Sequence, residues 1–484
     1  MSRSEEIRAR LDHPLIDSDG HTVEFLPAFR DYLKNVVGAE MADRYCFGDP
    51  KSSPVARWYS LSPAERETRR ITRPAWWAVP TKNTLDRATA ALPKLLYKRL
   101  DEFGLDFSIV YPTYGIGMVH IADDEMRRAT CRALNTMHAD IFREYADRLT
   151  PVAVIPAHTP AEAKEELDYA IGQLGLKAIL MPSYVLRPRA DGKGHWYDTL
   201  CLNSAYDYDS VWAKCLEWKV TPTFHSPSSG LGSRTSTTNF TYNHIGHFAA
   251  SGEALCKAAF MGGVTRRFPE LRMAFLEGGV GWACNLYCDL VGHWKKRNRT
   301  GIENYDPKNL DQSLYMELHR RYGGRLVEGR LEDKRSMQLA MFGRDFTMFG
   351  DDSILGAARE DPETLDDFAR CGIQRPEEIC ELFVPKFGFG CEADDPVNAW
   401  AFDAGRNPYG AKLNAIFSSD IGHWDVVDMG DVAAEAYELV EDGLITEGDF
   451  RDFVFANPVK MWTHMNPEFF KGTVIESSVE LKPA

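Results

Sequence analysis

The sequence has no pair of cysteines at the CxxC spacing, although ten cysteines are scattered along its 484 residues. This absence argues against a disulfide framework or a cysteine-rich zinc module, and it favours a reducing compartment. No hydrophobic run approaches the length that crosses a bilayer, and the first eight residues are charged rather than apolar. We therefore expect a cytoplasmic protein that has no membrane partner.

The chain also has fewer positively charged than negatively charged residues. The chain has 56 lysines and arginines against 71 aspartates and glutamates, which gives a net charge of −15. This excess of negative charge argues against nucleic acid as a general partner, because phosphate backbones recruit basic surfaces. The expected partner is instead a small-molecule substrate.

A complete glycine-rich phosphate loop is missing as well. The nearest approach to GxGxxG is Gly115-Ile-Gly117, in which the third glycine position holds His120. This gap weighs against the alternative α/β fold, a doubly wound open sheet. Short apolar runs alternate with helical segments along much of the chain, which predicts parallel strands joined by crossover helices.

The alternation predicts an α/β fold, a (β/α)8 TIM barrel, as a single domain over residues 1–484. Strands one to six are centred on Asp17, Val110, Val154, Ile179, Phe224 and Phe275, strand seven covers 387–391 and strand eight covers 413–420. Helices are predicted at 94–103, 123–145, 160–174, 210–218, 244–263, 432–441 and 447–456. Insertions are expected at about 25–94, irregular apart from a helical piece at 63–70, and at about 300–380, mainly helical.

The first strand ends in three side chains that can bind a metal ion. Asp17, Asp19 and His21 are each two residues apart, so they share one face of an extended strand. Burying three such groups is costly without a partner, and a divalent cation would supply one. The alternative is an N-terminal loop with an Asx-type turn at Asp17 to Gly20.

Two further strand ends offer ligands. His225 ends strand five and Asp420 ends strand eight, and with Asp19 and His21 they provide two nitrogens and two oxygens. A catalytic divalent ion accepts this mixture and keeps one position open for water. Alternatively, His225 is a core histidine bonded to the backbone and Asp420 caps a helix.

Asp351 and Asp352 compete with Asp420 for the role of the strand-eight acid, because they also follow a strand-like segment. We choose Asp420, since the strand-like segments after Asp352 would otherwise have no place in the barrel. His423 and Asp425 also follow Asp420 closely, and we read Asp351 and Asp352 as a turn or helix cap.

Three segments resemble the amidohydrolase superfamily, in the branch of aminocarboxymuconate-semialdehyde decarboxylase. The segment Ile416-Phe-Ser-Ser-Asp420-Ile-Gly-His423 is similar to the G-S-D-x-P-H signature of strand eight. Phe275-Leu-Glu277-Gly-Gly is similar to the strand-six segment, and Ala456-Asn457-Pro458 to an asparagine–proline turn near the C-terminus. The resemblance covers nearly the whole chain outside the two insertions.

The resemblance implies a single divalent metal ion, with Zn²⁺ as the first choice and Mn²⁺ or Fe²⁺ as alternatives. It implies Asp19, His21, His225 and Asp420 as ligands, and Asp420, Glu277 and His423 as catalytic residues. Two positions depart from the family pattern. Asp19 replaces a histidine or glutamate, and Glu277 stands where many relatives have a histidine. Glu277 either moves a proton or supports a ligand histidine.

Other residues are candidates for contacts with the substrate or the ligands. Arg73, Trp76 and Trp77 are predicted to bind a carboxylate and stack on a ring, or else to serve structure or oligomer contacts. His244 and His247 are predicted to line the pocket, or else to cap a helix. Glu24 and Asp394 are expected to contact the metal ligands and orient them without binding the metal.

The resulting hypothesis is a metal-dependent enzyme that acts on a small organic acid or carbonyl compound, aromatic or cyclic. The reaction is either hydrolysis by metal-activated water or nonoxidative decarboxylation. The alternative from a different class is a catalytically silent barrel that binds a small molecule. The resemblance also implies a homo-oligomer, a dimer or higher, with contacts from the two insertions.

Overall fold

Eight parallel strands form one sheet that curves into a nearly closed TIM barrel, which confirms the predicted fold. This computed structural model of the protein describes residues 2–48, 54–75, 81–227, 230–306, 309–348 and 365–480. The strands are β1 Ile16–Thr22, β2 Phe107–Pro112, β3 Leu149–Val154, β4 Ala178–Pro182, β5 Pro222–His225, β6 Met273–Phe275, β7 Phe387–Cys391 and β8 Asn414–Phe417. All eight predicted strands are therefore present, and each pairs with the next in the chain.

The helices follow the strands and also fill much of the first insertion. Before β3 they are Arg3–Arg8, Leu26–Phe47, Pro54–Ser60, Pro63–Thr68, Thr84–Thr89, Pro93–Arg99, Gly115–Met118 and Asp124–Ile141. Between β3 and β7 they are Pro160–Leu167, Asp209–Glu217, Phe240–His244, His247–Met261, Val264–Arg267, Gly281–Arg297, Gln312–Tyr322, Lys334–Met348 and Glu377–Phe383. After β7 they are Asn398–Phe402, Val432–Glu441, Glu447–Arg451, Asn457–Thr463 and Glu476–Glu480. Strands Val185–Pro188 and His195–Asp198 form an antiparallel hairpin after β4.

The first insertion is more regular than the sequence suggested. A 22-residue helix, Leu26–Phe47, occupies a range that we expected to be irregular. Gly38, with a φ of 81°, kinks this helix, and the buried side chains are Phe29, Leu33 and Ala42. The kink interrupts the helical period of the buried positions, which explains why the pattern was not recognised.

The chain divides into two compact units. One consists of residues 1–288 and 380–484, and the other of residues 289–379. The second unit covers most of the range that we expected as an insertion at 300–380, and it contains the helices Gln312–Tyr322 and Lys334–Met348. Within the described ranges, no helix combines the length and the hydropathy that crossing a membrane requires.

The hydrophobic core of the barrel unit lies between the strands and the surrounding helices. Phe224 of β5 stacks on Phe275 of β6 with 5.5 Å between ring centroids, and it meets Trp212 of a flanking helix at 6.4 Å. Alternate residues of a strand point to opposite faces. The outward position of Phe224 therefore turns the next residue, His225, toward the interior of the barrel.

The first strand is not regular along its length. Its pairing with β2 shifts register between Asp17 and Gly20, so the simple two-residue alternation that we predicted is broken there. Such irregularities re-aim side chains and are common beside active sites. Beyond the shift, the backbones of β1 and the β8 end meet: the N–H of Asp420 donates to the carbonyl of Asp19 at 3.0 Å. The N–H of His21 donates to Ile421 at 2.9 Å, which brings the two ends of the sheet together.

The carboxylate of Asp17 in β1 links this strand to β2 and to the segment that follows β8. Its carboxylate accepts hydrogen bonds from the Ser108 hydroxyl of β2 at 2.6 Å and from the Ser419 hydroxyl beyond β8 at 2.8 Å. It also accepts from the backbone N–H of Ser419 at 2.9 Å and of Asp19 at 3.2 Å. A Cβ atom on Gly20 would collide with this carboxylate, so the glycine leaves room for it.

We expect Asp17→Ala to lower the free energy of unfolding by about 3 kcal/mol or more, because it strands several buried hydrogen-bond donors. Asp12→Ala, on the exposed segment just before β1, is the matched control and is expected to change stability little. Urea unfolding of the two variants measures the difference. Equal stabilities would show that Asp17 does not hold the strands together.

Candidate metal centre and adjoining cavity

The four predicted ligands come together at the C-terminal ends of the strands. His21 Nε2 lies 3.4 Å from Asp19 Oδ1 and 3.4 Å from Asp420 Oδ1. The ring of His225 lies edge-on to that of His21, with 5.3 Å between centroids. Ligand atoms of Asp19, His21 and His225 all lie within 4.8 Å of one another. This spacing suits one ion rather than several separate sites.

Several buried polar atoms of this cluster make no hydrogen bond of regular geometry, although some lie within ion-pair distance of one another. Among the described residues, no hydrogen bond reaches either carboxylate oxygen of Asp19 or Asp420, either nitrogen of His21, or Nε2 of His225, and all these atoms are buried. Leaving so many buried polar atoms unsatisfied is costly. A divalent cation bound by two imidazoles and two carboxylates would satisfy them, so these residues fit the metal that the sequence predicted.

The backbone orients the imidazole of His225. The N–H of Ser226 lies 2.9 Å from His225 Nδ1. The carbonyl of Ser226 also lies 3.3 Å from Nδ1. In the tautomer in which Nδ1–H donates to this carbonyl, the lone pair of Nε2 faces the cluster, which is the arrangement of metal-binding histidines.

Glu277 joins the cluster from the end of β6. Its Oε2 lies 2.6 Å from His225 Nε2, although the angles are not those of a hydrogen bond, and its Oε1 lies 3.8 Å from His423 Nδ1. Burial acts to raise the pKa of Glu277, but the imidazoles of His225 and His423 outweigh it and hold the pKa well below its usual value. Glu277 is therefore an ionised carboxylate.

His423 is held between carboxylates. Its Nδ1 lies 2.7 Å from Asp420 Oδ1, its Nε2 lies 3.3 Å from the hydroxyl of Thr113, and its ring stacks on His21 at 3.8 Å. Burial acts to lower the pKa of His423, but the carboxylates of Asp420 and Glu277 raise it well above the usual value. In the absence of a cation, His423 is thus a proton carrier in its charged form.

A second arrangement of ligands overlaps the first. Ligand atoms of His21, Glu277, Asp420 and His423 also lie within 4.8 Å of one another. The two arrangements share His21, and they differ in whether Glu277 and His423 bind the ion or stand beside it.

Two of these residues have strained backbones. Glu277 has a φ of 57° and Asp420 a φ of 51°, both in the left-handed region that residues other than glycine seldom adopt. Conformations of this kind cost free energy and cluster at functional sites. Both occur just beyond a strand end, where the turn aims the side chain at the cluster.

A cavity of about 340 Å³ adjoins the cluster. The residues that line it are Thr241, His244, Ile245, Gly246, Phe248, Ala249, Glu277, Gly278, Gly279, Glu392, Asp395, Trp424 and Asp425. Glu277 belongs to both the cavity wall and the cluster. Sequence reasoning did not single out Trp424 or Phe248, because one aromatic residue among many carries no signal by itself.

The acids after β7 are distributed differently from our prediction. Asp394, which we expected to support the ligands, is exposed, whereas its neighbours Glu392 and Asp395 line the cavity. Which of three acids faces the cavity depends on the turn that follows the strand, and the sequence alone does not specify that turn.

Of the two histidines after β5 that were predicted to line the pocket, only His244 is at the cavity wall. His244 lines the cavity, with Nε2 lying 3.4 Å from Asp425 Oδ2. His247 is fully buried at the start of the next helix, and burial lowers its pKa to about 4. Gly246, with a φ of 71°, separates the short helix Phe240–His244 from His247–Met261, so the helix that we predicted at 244–263 begins at His247.

Arg73 braces a neighbouring loop. Its guanidinium stacks over the Trp58 ring at 3.8 Å, its N–H donates to the carbonyl of Ser236 at 2.8 Å, and its carbonyl accepts from Asn243 at 2.9 Å. These contacts fasten the segment before His244. Trp76, Trp77, Asp351 and Asp352 lie outside the described residues.

Glu24 binds backbone at the end of β2. Its carboxylate accepts from the N–H groups of Tyr114 at 2.8 Å and Gly115 at 2.9 Å, so it orders the turn beside His423 and Thr113. We predicted that Glu24 supports a metal ligand. In these contacts its carboxylate holds the turn after β2. Burial raises the pKa of Glu24 to about 7.

This raised pKa predicts a pH-dependent stability. Between the ordinary pKa of 4.5 and the value of about 7, the folded protein holds a proton that the unfolded chain releases. The associated stability is full at low pH and is lost as the pH rises through about 7. We expect Glu24→Gln to gain about 3 kcal/mol relative to the wild type between about pH 4.5 and pH 8. Urea unfolding at both pH values checks this, with exposed Glu125→Gln as the control. Parallel profiles would contradict it.

Comparison with known proteins agrees with the resemblance seen in the sequence. Residues 84–300 match the family model described as amidohydrolase. The matched range includes His225 and Glu277 but not Asp19, His21, Asp420 or His423. Among curated proteins, none matches the chain.

Solved structures share the fold. An amidohydrolase from Mycobacterium avium subsp. paratuberculosis K-10 has a TM-score of 0.50 and 16% identity, over 93% of this chain and 100% of its own. The 5-carboxyvanillate decarboxylase from Novosphingobium aromaticivorans, solved with manganese, has 0.47 and 13%, over 93% and 96%. The 2,6-dihydroxybenzoate decarboxylase from Rhizobium has 0.45 and 14%, over 93% and 99%.

Proposed function

We propose that this protein is a metal-dependent hydrolase that acts on a small molecule bound in the cavity beside β5, β6 and β8. The observation that carries the proposal is the convergence of buried ligand atoms of Asp19, His21 and His225, with Asp420 Oδ1 lying 3.4 Å from the shared His21 Nε2. They lie at the C-terminal ends of barrel strands, where TIM-barrel enzymes have their active sites. A catalytically silent barrel would have no reason to leave these atoms unsatisfied.

Asp19, His21, His225 and Asp420 would hold one divalent ion. Such an ion polarises a substrate oxygen and lowers the pKa of a water molecule. Two nitrogens and two carboxylates suit Zn²⁺, and the same set accepts Mn²⁺ or Fe²⁺.

Glu277 and His423 are placed to move the protons of a hydrolysis. Glu277 is ionised and borders the cavity, so it takes the proton of a water molecule that attacks the substrate carbonyl. His423 lies between Asp420 and Glu277 and, in its protonated form, gives a proton to the leaving group. The bond from the water oxygen to the carbonyl carbon forms, the bond to the leaving group breaks, and the proton on Glu277 then restores His423.

Nonoxidative decarboxylation is the second candidate, and the position of His423 beside the cluster favours it. A protonated imidazole can deliver its proton to the carbon that loses carbon dioxide, which balances the reaction without an oxidant. Hydrolysis consumes water and releases no gas, so the products separate the two reactions.

The decisive experiment measures metal and turnover together. Protein purified without added ions is analysed for metal before and after chelation, and then incubated with a panel of lactones and amides and a panel of hydroxybenzoates. We expect about one equivalent of a divalent ion and turnover that chelation abolishes. Less than about one-tenth equivalent, without stabilisation by added Zn²⁺ or Mn²⁺, would reject the metal centre and favour a silent barrel. Release of carbon dioxide would select decarboxylation.

A further inference from the structure

The imidazole of His423 is held by different groups at its two ring nitrogens. Its Nδ1 lies 2.7 Å from Asp420 Oδ1, and its Nε2 lies 3.3 Å from the hydroxyl oxygen of Thr113. The ring also stacks on that of His21, with 3.8 Å between centroids. The stacking fixes the plane of the ring, and the contacts at the two nitrogens fix its rotation within that plane.

Thr113 is the first residue after β2, and backbone hydrogen bonds fasten it to the end of β1. Its N–H donates to the carbonyl of Thr22, the last residue of β1, at 3.0 Å. The next two N–H groups along the chain both donate to the buried carboxylate of Glu24. The turn that carries the Thr113 hydroxyl is therefore fixed by two residues of the neighbouring strand end.

Two glycines allow the turns after β2 and β8 to pack closely. A Cβ atom on Gly115 would lie 2.6 Å from the side chain of Pro112, and one on Gly422 would lie 2.9 Å from the carbonyl oxygen of His21. Gly422 also has a φ of 96°, which strains any residue with a side chain. Both turns therefore have little freedom to move, and the hydroxyl and the imidazole keep their relative positions.

A hydroxyl group suits the partner of a proton carrier. It donates to Nε2 when this nitrogen has a lone pair, and it accepts from Nε2 when this nitrogen carries a hydrogen. The hydrogen bond between Thr113 and His423 can therefore persist while His423 gives and regains the proton of the proposed reaction.

We propose that Thr113 is a positioning residue for the reaction, which holds the His423 imidazole in the orientation for proton transfer through the hydrogen bond between its hydroxyl and Nε2. This inference rests on the proposed function, in which His423 delivers a proton. It adds the end of β2 to the site, where the sequence predicted no ligand and no proton carrier. Misplacing a reacting group by about 1 Å can cost about 100-fold in rate, so a contact of this kind affects turnover without touching the substrate.

Variants of Thr113 test the role of the hydroxyl, with whichever lactone, amide or hydroxybenzoate the wild type turns over as substrate. Thr113→Val keeps the branched shape and removes the hydroxyl. It should lower kcat by about 10- to 100-fold, as loss of a supporting contact typically does, while KM and the metal content stay unchanged. Thr113→Ser keeps the hydroxyl and should retain most of the activity. Thr113→Ala removes the same hydroxyl and takes the place of the valine variant if that variant does not fold.

The matched control is Thr136→Val. Thr136 is half-buried like Thr113, and its hydroxyl donates to the carbonyl of Arg132 within the helix Asp124–Ile141. This control should leave kcat unchanged. The proposal is overturned if Thr113→Val keeps the wild-type kcat, if Thr113→Ser loses as much activity as Thr113→Val, or if Thr136→Val loses it equally.

Nitrogen NMR separates this proposal from the proposed function, because it requires no turnover. The histidines are labelled with the heavy nitrogen isotope, and His423→Asn identifies the signals of His423 by their loss. The Nε2 signal should move in Thr113→Val and stay in place in Thr113→Ser. Such a result in a protein that holds no metal and turns over no substrate would reject the hydrolase and retain Thr113 as the residue that orients the ring. Normal metal content and turnover, with an Nε2 signal that is the same in wild type and both variants, would do the reverse.

Discussion

Asp420→Asn is expected to lower the affinity for the divalent ion by about 100-fold or more and to abolish turnover. Replacing a residue that only supports a metal ligand typically lowers metal affinity by about 10–100-fold. Loss of a charged ligand should lower it by at least about that much. Asparagine tolerates the left-handed backbone of position 420 and keeps the volume of the side chain, so the change isolates the charge. Titration of Zn²⁺ into the metal-free protein measures the effect.

The control for this variant is Asp442→Asn, an exposed aspartate at the end of a helix of the same unit. It should bind the ion as the wild type does. An Asp420→Asn protein that retains a full equivalent of metal at unchanged affinity would remove Asp420 from the ligand set, and with it the contribution of β8 to the site.

Glu277→Gln is expected to lower kcat by a factor of about 10² to 10⁴ while the metal content stays near one equivalent. A positioned acid or base contributes rate enhancement of this order. Glutamine has the same shape and backbone requirement as glutamate but cannot accept a proton. Turnover of whichever amide or lactone the wild type hydrolyses provides the measurement, and exposed Glu447→Gln is the control.

The metal content of the Glu277→Gln variant distinguishes the two arrangements of ligands. If Glu277 stands beside the ion, the metal remains and only the rate falls. If Glu277 is itself a ligand together with His423, the metal affinity falls as well. Unchanged rate and unchanged metal would show that Glu277 takes part in neither task.

The barrel could be predicted because its signals are local and repeated. The strands from β2 to β8 are short, largely apolar segments, and the placement of the residues at the strand ends follows from the rule that such ends meet at one face. This rule predicts that Asp19, His21, His225 and Asp420 lie at the same face of the barrel. Their roles as ligands stay a prediction until a metal is measured.

What could not be predicted depends on turns and on distant packing. A single sequence carries no pattern for three of these features. They are the register shift in β1, the left-handed backbone at Glu277, and the turn that places Asp395 rather than Asp394 at the cavity wall. Arg73 was predicted either to contact the substrate or to serve structure or oligomer contacts. Its guanidinium packs on Trp58, a contact that the sequence did not predict. Such pairings are decided by tertiary packing rather than by local propensity.

The left-handed conformations at Glu277 and Asp420 lower the stability of the fold while they orient two side chains of the candidate site. Each costs free energy that the surrounding barrel must supply, and glycine would adopt the same backbone without strain. Selection for thermal stability alone would therefore favour barrels in which these acids have been lost. The two strained acids, just beyond the ends of β6 and β8, therefore lower the stability of the barrel while they aim their carboxylates at the candidate site.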